Sequence, residues 1–138
     1  DVSEKGFSFK NGLALVPMDE TLIVKKGEDT KMYINAGAER NGSPFDAPCK
    51  EKTISQDMRQ LAFDNYQTTD DHGMHITGIC SDQTGKVFYR VKNSWGTQNN
   101  DCDGYLFVSE SYMRYKTMDI MVHKDALTPE LKKKLGIN

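Results

Sequence analysis

The sequence predicts an α+β fold in which an antiparallel β-sheet, able to curl into a small barrel, is accompanied by few helices. One supporting observation is that residues 74–108 alternate between β-rich apolar segments and polar turns. A second is that apolar residues recur at helical spacing over residues 54–66, which predicts one helix of substantial length. Because no internal repeat or low-complexity segment interrupts the chain, we expect residues 1–138 to belong to one domain.

The first half of the chain contains short apolar runs and a loop before this helix. Residues 13–16 form an apolar run that predicts a short strand ending before a proline, and residues 21–24 form a second run. Residues 36–50 are rich in Gly, Asn, Ser, Pro and Ala, which predicts a loop. Thr53, with Gln56 three residues later, matches a capping box and predicts the N-terminus of the helix.

The second half of the chain predicts the sheet. Apolar segments of β-forming residues predict four strands, at 74–80, 87–91, 105–108 and 117–123. A polar turn ending in Gly85 joins the first two strands as a hairpin. Ser109 with Tyr112 predicts a single helical turn after the third strand. Thr128 followed by Pro129 predicts the start of a final short helix.

Composition and charge exclude several classes of protein. The 138 residues are 37% hydrophobic and 28% charged, and 18 basic and 20 acidic residues give a net charge of -2. This composition is typical of a globular domain, and it lacks the basic excess expected of a nucleic-acid-binding surface. No apolar stretch approaches the length of a membrane span. Three cysteines are too few, and odd in number, for a disulfide framework.

The candidate chemistry lies at the two outer ends of the predicted hairpin. His72 stands just before its first strand, and Asn93 just after its second, followed by Ser94, Trp95 and Gly96. Because a hairpin brings these ends together, the imidazole and the carboxamide can meet in space. The amide oxygen can then accept a ring N–H and hold the imidazole in one tautomer. Such a pair is the orienting half of a Cys-His-Asn catalytic device.

Several motifs around these two residues form a recognisable pattern. They are 71–74 (Asp-His-Gly-Met), 87–91, 92–96 (Lys-Asn-Ser-Trp-Gly), 104–105 (Gly-Tyr), 109–113 and 117–122. The pattern resembles the papain superfamily of cysteine peptidases and, within it, the bleomycin hydrolase and aminopeptidase C family. The similarity extends over most of the chain, and residues 70–127 carry more of it than residues 17–52. Residues 1–5 also resemble a segment that precedes the histidine region in that family.

The resemblance implies a role for each matched residue. His72 would be the general base that takes the proton of a cysteine thiol and later protonates the leaving amine. Asn93 would orient the imidazole, and Trp95 would shield the His–Asn contact from water. The backbone at Asp71 and Gly73 would border the cleft for a peptide substrate. We expect no cofactor.

The nucleophilic cysteine of that family is not evident in this chain. In the superfamily it precedes the histidine, in a context close to Gln-x-x-x-Cys-x-x-Cys-Trp, and the sequence contains no such segment. We therefore expect the chain to be the C-terminal part of a longer peptidase. A missing N-terminal lobe would hold the cysteine, and the isolated chain would be inactive. We interpret Cys49 as a loop thiol, Cys80 as a core residue and Cys102 as exposed.

Two alternatives to a peptidase site follow from the same residues. One is a non-catalytic module for binding or assembly, in which the His–Asn pair is a relic. The other is a zinc site, since Asp71, His72, His75 and Cys80 are ligands by type. The His-x-x-His spacing on a strand, however, places the two imidazoles on opposite faces, so we expect no metal.

The residues alone do not determine the oligomeric state, the mode of peptide cleavage or the cellular compartment. The resemblance implies homo-oligomers, which are hexamers in several members, and nucleic-acid binding in some. Family members often end in an arm whose terminal carboxylate binds the substrate's free amine, and residues 135–138 do not match that arm. The choice between aminopeptidase and endopeptidase therefore remains open. The resemblance implies a cytoplasmic location, and removal of a leader would imply a periplasmic or secreted one.

Overall fold

A computed structural model describes residues 1–2, 5–18 and 43–137. The predicted apolar run at 21–24 and residues 36–42 of the predicted loop lie outside these ranges. None of the helices in the described ranges has the length and apolar character needed to cross a membrane. The architecture is α+β, which confirms the predicted class.

Five strands form one mixed sheet in the order β1-β2-β5-β4-β3. They are β1 (Phe7–Ser8), β2 (Leu13–Ala14), β3 (His75–Ser81), β4 (Val87–Lys92) and β5 (Tyr105–Ser109). Three of the four neighbouring pairs are antiparallel, as predicted, but β2 and β5 run parallel. The parallel pair arises because β2 comes from the N-terminal segment and enters the sheet beside a strand far along the chain. In the described ranges β3 pairs only with β4, so it forms one edge of the sheet.

The helices begin and end at residues whose side chains or backbone satisfy the terminal peptide groups. They are α1 (Gln56–Asp64), α2 (Glu110–Lys116) and α3 (Pro129–Leu135), with a short 3₁₀ turn at Lys124–Ala126. For α3 the prediction is confirmed, since Thr128 caps the N-terminus and Gly136 ends the helix at a φ of 67°. α2 is longer than the single predicted turn.

The predicted start of α1 was wrong by two residues. Ser55, not Thr53, is the N-cap, and its hydroxyl accepts the Met58 N–H at 3.2 Å. The chain before it is held extended, because the Lys52 N–H donates to the Val16 carbonyl at 2.9 Å. The helix starts after Ser55 because the hydroxyl of this residue accepts a free N–H of the first helical turn.

The predicted fourth strand at 117–123 was also wrong. The chain leaves α2 at Thr117 and runs over the surface without pairing with another described strand. Three apolar side chains of this segment are exposed: Ile120 (62%), Met121 (98%) and Val122 (52%). A segment of β-forming residues becomes a strand only when a neighbouring backbone satisfies its N–H and C=O groups, and residues 117–123 pair with no described strand.

The core lies where β4 and β5 pack beneath α2. Its buried members are Ala14, Val16, Val91, Leu106, Val108 and Tyr112. They come from β4, β5, α2 and the segment at β2, so the N-terminal residues form part of the same core as the hairpin. The opposite edge is thinly covered, because Ile76 is 40% exposed and Ile79 is 71% exposed on β3.

Glu51 joins three parts of this structure from a buried position. Its carboxylate accepts the Val16 N–H and the Ser109 hydroxyl, both at 2.6 Å. It also pairs with the Lys86 ammonium at 2.6 Å, and its side chain is 3% exposed. These partners replace the water that a buried carboxylate loses, and they tie the segment before α1 to both sides of the sheet.

Replacing Glu51 should therefore destabilise the fold. We expect Glu51→Gln to lower the free energy of unfolding by about 2 kcal/mol, because the Lys86 ammonium loses its charged partner. Urea denaturation followed by circular dichroism measures the change. Glu110→Gln is the matched control, since it breaks an exposed pair with Arg114 and should change stability little. Equal losses in both variants would contradict the assignment of Glu51 as a buried link.

Candidate active site

The β3–β4 hairpin brings His72 and Asn93 into contact. The two strands pair antiparallel, with His75 opposite Lys92 at the open end of the hairpin. His72 precedes β3 and Asn93 follows β4, so both residues lie at that end. The Nε2 atom of His72 is 2.8 Å from Asn93 Oδ1. The predicted meeting of the imidazole and the carboxamide is confirmed.

This contact fixes where the neutral imidazole carries its proton. The Ser94 backbone N–H donates to the same Asn93 oxygen at 2.7 Å. Because a backbone N–H only donates, that atom is the amide oxygen, and His72 Nε2 must donate to it as well. The neutral ring then has its lone pair on Nδ1. No residue in the described part of the chain forms a hydrogen bond with Nδ1, so this nitrogen is free to accept a proton.

Asn93 is itself held firmly. It is 4% exposed, and its backbone N–H donates to the Gly104 carbonyl at 3.1 Å. Its Nδ2 is buried and has no hydrogen-bond partner among the described residues. The carboxamide therefore acts on its neighbours through the oxygen, which serves His72 and Ser94 together.

Trp95 packs against the imidazole. The two ring centroids are 4.7 Å apart with an interplanar angle of 33°. Phe7 and Phe9 contact the indole edge-on at 6.0 and 5.2 Å, so the N-terminal segment supports it from the side. Trp95 remains 47% exposed, and the indole therefore covers the His–Asn contact on one side while its own outer face meets solvent.

Comparisons with known proteins identify the family of this site. The family model described as the Peptidase C1-like family matches residues 50–137, which is more than half of the chain and includes His72, Asn93 and Trp95. This chain belongs to the Peptidase C1-like family. It is also similar to Aminopeptidase C of Streptococcus thermophilus, with 38% identity over 60 residues. That alignment covers 43% of this chain and 13% of the relative, so the chain spans a small part of the relative's length.

Membership of the Peptidase C1-like family confirms the predicted resemblance to papain-superfamily cysteine peptidases. The sheet with its flanking helices is consistent with the C-terminal lobe of such a peptidase. The chain is therefore related to cysteine peptidases.

Asp71 and Gly73 flank His72 in this Peptidase C1-like chain, and both are exposed. The Asp71 carboxylate accepts the Val2 backbone N–H at 3.1 and 3.3 Å, so its side chain bonds the N-terminal segment. A Cβ atom at Gly73 would have no atom within 4 Å. The space beside His72 is therefore open at Gly73, and the role of these two residues at a substrate cleft stays a prediction.

The three cysteines are free thiols, and each is half-buried. Cys49 lies at the turn end of the hairpin, where Lys86 Nζ donates to its carbonyl oxygen at 3.0 Å. The length of β3 separates that end from His72 by roughly 20 Å. Burial raises the pKa of the Cys49 thiol above its ordinary value, which is opposite to what a nucleophile needs. The interpretation of Cys49 as a loop thiol therefore agrees with its surroundings.

The other two cysteines differ from their predicted environments. Cys80 is only half-buried, because β3 is an edge strand and offers packing on one side. Cys102 is half-buried rather than exposed, since its thiol points to the Asn11 carbonyl at 3.7 Å. Burial, reinforced by the charges of Asp101 and Asp103, raises the pKa of the Cys102 thiol.

The residues considered as an alternative zinc site, which the sequence analysis did not favour, do not form a metal-binding group. The described part of the chain contains no group of three or more His, Cys, Asp or Glu side chains arranged to hold a metal ion. His75 lies on β3 opposite Lys92 and is exposed, while His72 bonds Asn93. The imidazole of His72 is thus engaged in a contact that suits general-base chemistry.

Two residues support the site in ways that the sequence analysis did not assign: Gly104 was noted only as part of a motif, and the burial of Asn100 was missed. Gly104 has a φ of +78°, and a Cβ atom there would lie 2.5 Å from the Gly96 carbonyl oxygen. Asn100 is a buried residue within the loop between Trp95 and Gly104. The signal for Gly104 was its place just before a strand, where a left-handed turn favours glycine. The polar surroundings of Asn100 gave no sign of burial.

Gly104→Ala should destabilise the protein much more than Gly73→Ala. A methyl group at Gly104 meets the Gly96 backbone in a left-handed conformation, and we expect a loss of roughly 3 kcal/mol. At Gly73 the methyl group meets open space, and reduced freedom of the unfolded chain should stabilise by about 0.5 kcal/mol. Thermal and urea unfolding of both variants measure the difference. A tolerated Gly104→Ala would show that this loop is not closely packed.

Substitution of Asn93 tests the shared oxygen directly. In Asn93→Ala the His72 Nε2–H loses its acceptor, and we expect its exchange with water to rise at least about fivefold. Asn93→Asp keeps an oxygen at the same place and should preserve the slow exchange. Proton and ¹⁵N NMR of the imidazole at low temperature measures both. Slow exchange in Asn93→Ala would mean that another group holds the ring.

Proposed function

We propose that this chain supplies the His–Asn half of a Cys-His-Asn site in a cysteine peptidase of the aminopeptidase C and bleomycin hydrolase type. The observation that carries the proposal is the 2.8 Å contact between His72 Nε2 and Asn93 Oδ1. It orients the ring so that Nδ1 is the unprotonated nitrogen, and proton abstraction requires that nitrogen. The substrate is a peptide, and the reaction is amide hydrolysis.

The imidazole transfers a proton at two steps of this mechanism. His72 Nδ1 takes the proton of a cysteine thiol, and the resulting thiolate attacks the carbonyl carbon of the peptide bond. The imidazolium then gives that proton to the leaving amine, and an acyl-thioenzyme remains. In the second half, Nδ1 takes a proton from water as the water oxygen attacks the thioester, and the thiol is restored as the acid product leaves.

Asn93 and Trp95 serve the imidazole in this mechanism. When the ring becomes charged, the Asn93 oxygen still accepts from Nε2, so the ring keeps its orientation through both proton transfers. The indole, at 4.7 Å from the ring, excludes water from one side of that hydrogen bond and strengthens it. Asp71 and Gly73 border the peptide on either side of His72 in this proposal.

The nucleophile comes from a part of the protein that this chain does not include. The Cys49 and Cys102 thiols have raised pKa values because they are buried, and neither has a bond to His72. We therefore propose that an N-terminal lobe of the same protein carries the catalytic cysteine and meets this chain at His72. Assembly into homo-oligomers is part of the same proposal and rests on family resemblance alone.

Reassembly with the N-terminal part tests the proposal. This chain alone should not turn over an aminoacyl coumarin amide, whereas a mixture with the N-terminal part of its parent protein should release the fluorophore. His72→Ala should lower kcat in the mixture by about 10²–10⁴. His75→Ala, at an exposed histidine on β3, is the matched control and should retain activity.

Two outcomes would contradict the proposal. Enzyme-like turnover by this chain alone would place a nucleophile within it. Full activity of the His72→Ala mixture, or a serine or glycine where the N-terminal part should carry its cysteine, would favour the alternative of a non-catalytic module with a relic His–Asn pair. Cleavage of blocked peptides as well as free-amine reporters would decide between endopeptidase and aminopeptidase modes.

A further inference from the structure

Asn100 makes every hydrogen bond that a carboxamide can make. Its oxygen accepts the Cys102 N–H at 2.9 Å and the Gly104 N–H at 2.7 Å. Its Nδ2 donates to the Phe9 carbonyl at 2.6 Å and to the Tyr105 carbonyl at 3.2 Å. The residue is 9% exposed. A side chain with two acceptor and two donor bonds in a buried position fixes the backbone on both sides of it.

Two of the four partners of Asn100, Gly104 and Phe9, contact the residues that support the His72 ring. Gly104 is bonded to Asn100 through its N–H and accepts the Asn93 backbone N–H on its carbonyl. Phe9 is bonded through its carbonyl, and its ring contacts Trp95 at 5.2 Å. Through Gly104, Asn100 is therefore connected to Asn93, whose oxygen orients the imidazole. Through Phe9, it is connected to Trp95, whose indole covers the imidazole.

The two halves of the Asn100 side chain have different tasks. The oxygen closes a local turn, since both of its donors lie within four residues. The nitrogen reaches across to Phe9, which is 91 positions away in the sequence. A residue needed only for the turn could be aspartate, which accepts the same two N–H groups. The bond to Phe9 requires a donor, and a carboxylate has none.

We propose that Asn100 is a positioning residue for His72, acting through Phe9 and Trp95 on one side and through Gly104 and Asn93 on the other. This inference deepens the proposed function and rests on it, since the position of the imidazole matters only if His72 is the base. The Nδ2 donor holds the N-terminal segment against the indole. When that donor is lost, Phe9 and Trp95 separate from the imidazole, and the His–Asn bond opens more often.

Asn100→Asp tests this role because it removes the donor and keeps the acceptor. In the 138-residue chain we expect His72 Nε2–H exchange, followed by imidazole NMR, to rise about fivefold. Asn99→Asp is the matched control, since it adds the same charge to the same loop at an exposed position. Glu51→Gln is a second control, which lowers global stability without touching the loop. Neither control should accelerate exchange at His72 as Asn100→Asp does.

Phe9→Leu provides an independent route to the same conclusion. It leaves Asn100 intact and removes the aromatic edge that contacts Trp95. We expect exchange at the His72 Nε2–H to rise in this variant also. If Asn100→Asp fails to fold by circular dichroism, Phe9→Leu decides the question: acceleration supports the proposal, and exchange equal to that of the unsubstituted chain overturns it.

The outcomes separate this inference from the proposed function. Unchanged exchange in a folded Asn100→Asp variant, or equal acceleration in Glu51→Gln, overturns the positioning role and leaves the His–Asn site intact. Fast exchange in the unsubstituted chain would instead contradict the His–Asn contact itself. In the reassembled peptidase, Asn100→Asp should lower kcat by about fivefold with little change in KM, because ring orientation and not peptide binding is affected.

Discussion

One oxygen atom, Oδ1 of Asn93, organises the site. It accepts a ring N–H from His72 and a backbone N–H from Ser94, and the second bond removes any ambiguity about the first. An amide that bonded the imidazole alone could rotate by half a turn and present its NH₂ group instead. The Ser94 N–H prevents this, because an NH₂ group facing a backbone donor would leave two donors opposed in a buried position. The tautomer of the imidazole thus follows from the backbone that comes after Asn93.

The supports of this oxygen come from distant parts of the chain. Asn93 follows β4, which lies between β5 and β3 in the sheet, and the loop after it folds back onto residues that come early in the sequence. Phe7 and Phe9 lie against Trp95, and the Asp101 N–H donates to the Lys10 carbonyl at 2.8 Å. The N-terminal segment is therefore a structural part of the site, although it carries none of the residues that the family pattern marks as catalytic.

The sequence was sufficient to predict those elements whose structure is decided by residues close together in the chain. The hairpin and the ends of α3 follow from turn and capping residues, and the contact of His72 with Asn93 follows from hairpin geometry alone. The pairing of β2 with β5 was not predictable, because each partner contributes only two residues to it and no local pattern encodes it. The error at 117–123 has the same origin: the β-forming residues of one segment say nothing about whether a partner strand is available.

The burial of Asn100 is another feature that the local sequence could not predict. Four polar neighbours in a loop predict exposure, and only the approach of the Phe9 carbonyl from the N-terminal segment explains why this asparagine is buried. Glu51 was missed for the same reason, since its partners come from three separate segments. Both residues bond groups that the fold brings close from distant segments, and the residue types adjacent to them in sequence do not indicate those partners.

The exposed edge of the sheet affects how the chain behaves in isolation. β3 has a free row of backbone donors and acceptors on its outer side within the described residues, and Ile79 projects beside it with 71% of its surface exposed. Such an edge is a template on which further strands can add, in native assembly or in aggregation alike. The same hairpin that holds His72 and Asn93 together therefore also presents an edge to which the backbone of another segment can bond.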